Sequence, residues 1–175
     1  MCGVTGFLID SKFSSSMNYD AVIKKMTDSI KHRGPNDSGS WNSLLDGIFL
    51  GHRRLSILDL SEAGHQPMES SNDRYVIAFN GEIYNHLQIR SEIEKIDKNI
   101  SWKGHSDTET ILCAFEIFGI ETSIKKFIGM FAFSLWDKKN KVLTLVRDRL
   151  GEKPMYYGWQ KTTHGKVFLF GSELK

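Results

Sequence analysis

Strand-like runs open and close the chain and helix-period segments occupy its middle, an order that restricts the fold more than any other feature of the sequence. The opening CGVTGFLI is rich in β-branched and aromatic side chains and reads as a strand. In NYDAVIKKMTDSIKH, Val22, Met26 and Ile30 recur at helical spacing, and HRGPND then ends that helix. GIFLGH, LSILDL and RYVIAFN follow as short strand-like runs. LQIRSEIEKI and SDTETILCAFEIFG read as helices, the second opened by Ser106 and Glu109 at capping-box spacing. MFAFSLWD and VLTLVRD are strands joined by the turn-forming KKNK, and PMYYGW and VFLFGSEL close the chain on either side of Gly165. Strands, two or three helices, then strands again imply a layered α+β domain with a largely antiparallel sheet.

At 175 residues, 40% of them apolar, the chain can bury one substantial core and is too short for two ordinary domains, so residues 1–175 are expected to form one unit. Lys and Arg number 23 against 21 Asp and Glu, with the signs interspersed and no run of about five like charges, which argues against nucleic acid as a partner. No window approaches the roughly 18 apolar residues of a membrane span, and no secretory signal is recognisable. The expectation is a soluble cytoplasmic protein.

Two cysteines in such a chain are poor material for a disulfide framework. Cys113 stands among Ile111, Leu112, Ala114 and Phe115 and reads as a buried, inert thiol. Cys2 is different: if the initiator methionine is trimmed, thiol and free α-amine lie on one residue. An α-amine of reference pKa about 7.7–8.0 can take the thiol proton directly or through one water, so nucleophile and base come together.

FNGEIYNH carries an Asn-Gly pair just beyond an apolar strand. It is open to two readings, a tight turn or an oxyanion hole made by the Asn80 side-chain amide and the Gly81 N–H, with Glu82 adding a carboxylate. GHRRLSILDL places two arginines ahead of an apolar run, where an Arg can hold a carboxylate in a bidentate fork or simply begin a strand. Asp107 can serve the helix dipole or bind an ammonium group. Together these groups fit an α-amino acid whose side chain is an amide.

In order along the chain, MCGVTGF, HRGPNDSG, GHRRLSILDLS, GHQPM, FNGEIYNH, SDTE, GMFAFSLWD and RDRLGEKPMYY resemble the glutaminase domain of glutamine-hydrolysing asparagine synthetases, a class II glutamine amidotransferase domain. The resemblance runs from Met1 to Lys175. It implies a four-layer αββα sandwich of the N-terminal-nucleophile hydrolase type and hydrolysis of the L-glutamine side-chain amide through a cysteinyl thioester. It further implies Cys2 as nucleophile, Asn80 and Gly81 as oxyanion hole and Arg54 as clamp for the substrate carboxylate. Main-chain groups from Leu55 to Ile57, with Glu82 and Asp107, would hold the α-amino end. Arg53 is discounted, and His32, Arg33 and Gly34 are expected to support the site as loop structure.

The resemblance calls for no metal or organic cofactor in this half-reaction. Full-length relatives continue into a synthetase domain with an S-G-G-x-D-S type loop, and ATP and Mg are expected only there. That loop does not occur here, so the expected partners are L-glutamine and a C-terminal synthetase domain or a separate synthetase subunit, with a homodimer as a possible assembly. The nitrogen would go to an asparagine-synthetase-type amidation or a related one in cell-surface sugar biosynthesis. The first and last strands would then lack neighbours supplied downstream. The contrasting reading is a catalytically silent glutamine-binding or interaction module of the same fold, favoured if Met1 stays attached and leaves an amide where the base should be.

Overall fold

The computed structural model describes residues 1–9, 17–57, 61–162 and 165–174. In chain order the elements are β1 (Gly3–Ile9), α1 (Tyr19–Ser29), β2 (Asp37–Ser43), β3 (Ile48–Arg54), β4 (Met68–Glu69), β5 (Tyr75–Ile83), α2 (His86–Ile96), α3 (Asp107–Phe118), α4 (Ile120–Lys126), β6 (Gly129–Asp137), β7 (Val142–Arg147), β8 (Tyr156–Thr162) and β9 (Gly165–Gly171). Short 3-10 turns occupy Lys31–Arg33 and Glu62–Gly64. Every strand pairing is antiparallel, in one sheet of order β2-β3-β1-β9-β8 and a second of order β4-β5-β6-β7.

Side-chain alternation stacks these sheets. In β1, Val4 and Leu8 point toward the second sheet, where they meet Val76, Ala78, Ala132 and Trp136, while Phe7 and Ile9 point outward to Tyr19 and Ile23 of α1. In β5 and β6 the other parity, Tyr75, Ile77, Phe79, Phe131, Phe133 and Leu135, faces Ile89 and Ile93 of α2 and Ile111 and Phe115 of α3. The layers are therefore helix, sheet, sheet, helix, the four-layer αββα stack expected. Caps fix the helix starts: the Asn18 side chain accepts from Ala21 N–H at 3.0 Å, and Ser106 Oγ accepts from Thr108 N–H at 3.1 Å.

Several local expectations are corrected. The polar segment DSGSWNS, assigned no element above, is a strand, β2, because it pairs along its whole length with the fully buried β3. Residues 55–57, expected to begin a strand, leave β3 as loop and bend, and residues 58–60 lie outside the described residues. Asn80-Gly81 is not a turn, since β5 runs through it with Asn80 opposite Ala132 and Gly81 opposite Phe131. Glu109 does not close a capping box with Ser106; its carboxylate accepts from Lys103 N–H at 2.7 Å and Gly104 N–H at 3.1 Å. The first and last strands do not lack neighbours, because β1 lies between β3 and β9, and β9 between β1 and β8.

Candidate active site

Three strands bring inward-facing positions to one end of the inter-sheet layer. Cys2 continues the inward series of Val4 and Leu8, and Arg54 that of Ile48 and Leu50. Because Gly3 pairs with Arg53, Cys2 falls opposite Arg54. From the facing sheet, Asn80 continues the inward series of Val76 and Ala78. Cys2, Arg54, Leu55, Ile57, Asn80, Gly81, Glu82 and Asp107, all expected site residues, line one cleft of about 210 Å³.

The thiol sits in the crook of the loop after β3. Leu55 N–H donates to Cys2 Sγ at 3.4 Å, and Cys2 Sγ–H donates to Leu55 O at 3.7 Å. Leu55 thus presents its main-chain groups to the thiol as well as lining the cleft. The main chain of Cys2 is pinned from behind, since Arg33 Nε donates to Cys2 O at 3.0 Å. Arg33 Nη1 and His32 Nε2 both meet Glu173 Oε1, at 3.1 and 2.7 Å. The HRG segment therefore acts as support at the edge of the cleft. Arg53 points the opposite way, donating to Thr27 O at 3.1 Å and pairing with Asp28 of α1.

β5 brings donors to the cleft. Beyond the short pairing with β4, one of its edges is open, and side chains fill it: Phe79 N–H donates to Gln66 Oε1 at 2.7 Å and Ile83 N–H to Asp107 Oδ2 at 2.9 Å. Strand alternation points the Gly81 N–H out of that same edge, between the two satisfied donors. The Asn80 side chain is 1% exposed, and its Nδ2 has no partner among the described residues. A buried amide donor left unmatched costs about 1–3 kcal/mol, and Asn80 lines the same cleft as Gly81.

Charge is arranged around these donors. Arg54 is buried and donates from Nη1 to Ser61 O at 2.8 Å. A Cβ at position 64 would collide with its Nη2, so Gly64 is what lets the guanidinium lie there. Asp107, 5% exposed at the start of α3, has its carboxyl pushed up to about 6 by burial, opposed by hydrogen bonds from Ile83 and Thr108 N–H. Among the described residues, no group of three His, Cys, Asp or Glu side chains gathers to hold a metal, and no helix is long and apolar enough to cross a membrane.

Three further lining residues carried no role in the sequence reading: Gly64, Gln66 and Lys153. Gln66 bridges the layers, since its Nε2 also donates to Thr108 Oγ1 at 3.2 Å. GHQPM and RDRLGEKPMYY marked their segments, but nothing in the residue types assigned a function within them.

A family model described as a glutamine amidotransferase domain matches residues 1–175. The putative asparagine synthetase [glutamine-hydrolyzing] 2 of Methanocaldococcus jannaschii is 40% identical over 191 residues, covering all of this chain and 34% of the relative. Asparagine synthetase [glutamine-hydrolyzing] 3 of Bacillus subtilis is 38% identical over 177 residues, again over all of this chain and 27% of the relative. The chain thus spans about a third or less of the curated relatives it matches. Among solved structures, the glutamine phosphoribosylpyrophosphate amidotransferase of B. subtilis superposes with a TM-score of 0.73 at 18% identity, over 98% of this chain and 42% of that one. At that identity the likeness is one of fold.

Proposed function

The chain belongs to the glutamine amidotransferase domain family, and on that premise we propose that it hydrolyses the side-chain amide of L-glutamine at the cleft around Cys2. The observation that carries the reading is the pair of donors at Asn80 and Gly81, one buried and unpartnered, in the cleft that holds the cysteine. Once methionine is removed, the Cys2 α-amine takes the thiol proton and the thiolate attacks the amide carbon of glutamine. The developing oxyanion is held by Asn80 Nδ2 and the Gly81 N–H. The α-ammonium returns its proton to the amide nitrogen, the C–N bond breaks, and ammonia leaves a γ-glutamyl thioester. Water activated by the same amine cleaves the C–S bond, giving glutamate and free Cys2. Arg54 holds the substrate α-carboxylate, and Asp107 with Glu82 its α-ammonium.

The two relatives are named asparagine synthetases, and the chain matches only a minor share of each. By that kinship the ammonia passes to an ATP- and Mg-dependent amidation in a synthetase domain or subunit, while this half-reaction uses neither. The experiment is intact mass of the purified chain, then glutamate release from glutamine, with Cys2→Ala alongside. A mass lower by one methionine and release that depends on Cys2 is the expected result. Undiminished release by Cys2→Ala would overturn the proposal.

A further inference from the structure

Lys153 is a cation almost wholly withdrawn from water, 7% exposed, at the wall of the cleft that holds Met1 and Cys2. Its Nζ lies 3.4 Å from Met1 Sδ, and among the described residues no carboxylate approaches it within 4.0 Å. A buried ammonium facing a thioether is costly, and the backbone that presents it is fixed on both sides. Lys153 N–H donates to Asp148 Oδ2 at 3.1 Å, and Lys153 O accepts from Arg147 Nε at 2.7 Å. Asp148 also accepts from Phe131, Leu150 and Glu152 N–H, and Gly151 turns the loop at a φ of +69°, where a Cβ would be strained. The loop between β7 and β8 is thus a knot that aims one side chain at the start of the chain.

We infer that Lys153 is a positioning residue whose charge keeps the freed Cys2 α-amine in its uncharged, proton-accepting form. The inference rests on the function proposed above, in which that amine is the base. Removing Met1 takes away the thioether that Nζ faces and leaves the new amine on Cys2, in the cleft that Lys153 also lines. A second positive charge there is disfavoured by the first, so the amine sheds its proton more readily. The other charged groups facing the cleft are Arg54 from the end of β3, Glu82 from β5 and Asp107 from α3; Arg33, behind Cys2, is paired with Glu173.

The test compares methionine-processed wild type, Lys153→Met and Lys153→Arg, with processing confirmed by intact mass. Two pH profiles are read: kcat/KM for glutamate release, and alkylation of Cys2 by iodoacetamide followed by mass spectrometry, which needs no turnover. Lys153→Met should move the acid limb of both profiles up by about one pH unit, so that activity is lost near pH 7 and regained at higher pH. Lys153→Arg, which keeps the charge, should leave the limb in place. A Lys153→Met profile lowered evenly with its acid limb unmoved would reduce the residue to a structural role and overturn the inference. Undiminished glutamate release by Cys2→Ala would instead remove the function on which it rests.

Discussion

Two cysteines occupy two differently built regions of this molecule. Cys113 lies on α3, half-buried beside Leu112 and Phe115, and burial, with Glu116 and Glu109 adding to it, pushes its thiol up to about 11. Cys2 lies at the open end of the inter-sheet layer, in hydrogen-bond contact with the Leu55 main chain and facing a buried Arg, a buried Asp and the unpartnered amide of Asn80. The difference is not in the thiols but in what surrounds them. Around α3 the polar groups are matched to one another: Arg90 donates to Thr110 Oγ1 and Ser106 O, and Ser123 to Ala114 O. At the cleft Arg54 and Asp107 are held by main-chain partners, and Asn80 Nδ2 has no partner among the described residues.

The strongest way to break this contrast is to exchange each thiol. Cys2→Ala should lower glutamate release by at least about 10⁴-fold, as loss of a nucleophile does. Cys113→Ala should leave turnover within about twofold, because a protonated thiol on the far layer takes no part. Equal losses in a steady-state assay would abolish the distinction. Next in size is Asn80→Ala, expected to reduce kcat roughly 10²–10³-fold with a smaller change in KM, the signature of a donor used only in the transition state. Arg54→Lys should mainly raise KM for glutamine, by about 10- to 100-fold, since an ammonium cannot reproduce a two-pronged grip on a carboxylate.

The smallest expected effect sharpens the contrast through pH. The carboxyl of Asp107, raised by burial to about 6 from an ordinary 3.8, binds its proton more tightly in the folded chain than in the unfolded one. Stability from this group is therefore fully present below about pH 4 and lost as pH rises through about 6, to the extent of about 3 kcal/mol. Asp107→Asn should flatten that fall in thermal or denaturant unfolding between pH 4 and 7. Wild type is also expected to show a rise in glutamine KM as pH drops below about 6, and Asp107→Asn should lose it.

The strand alternation of VTGFLI, YVIAF and MFAFSLW was plain in the sequence because both faces of those strands are buried in different layers, and two apolar sets mark the two faces. From them came the α+β class and the antiparallel pairing, and the motif resemblance supplied the four layers and eight of the residues that line the cleft. β2 was illegible because its polar residues form a strand only through pairing with β3. Asn80-Gly81 suggested a turn from local propensity alone, whereas pairing with β6 carries the strand through it. Gly64, Gln66 and Lys153 could not be given roles because each acts across layers, on Arg54, on Phe79 and Thr108, and on residue 1. Local residue types say nothing about such contacts until the register is known.

The most direct test is where a glutamine-shaped electrophile lands. The methionine-processed chain would be incubated with a glutamine analogue that carries a diazoketone in place of the side-chain amide, then digested and mapped by mass. One adduct per chain on Cys2, suppressed by excess glutamine and absent from Asn80→Ala on the same time scale, is the predicted result. Labelling of Cys113 in preference to Cys2, or labelling of Cys2 that glutamine does not slow, would contradict it.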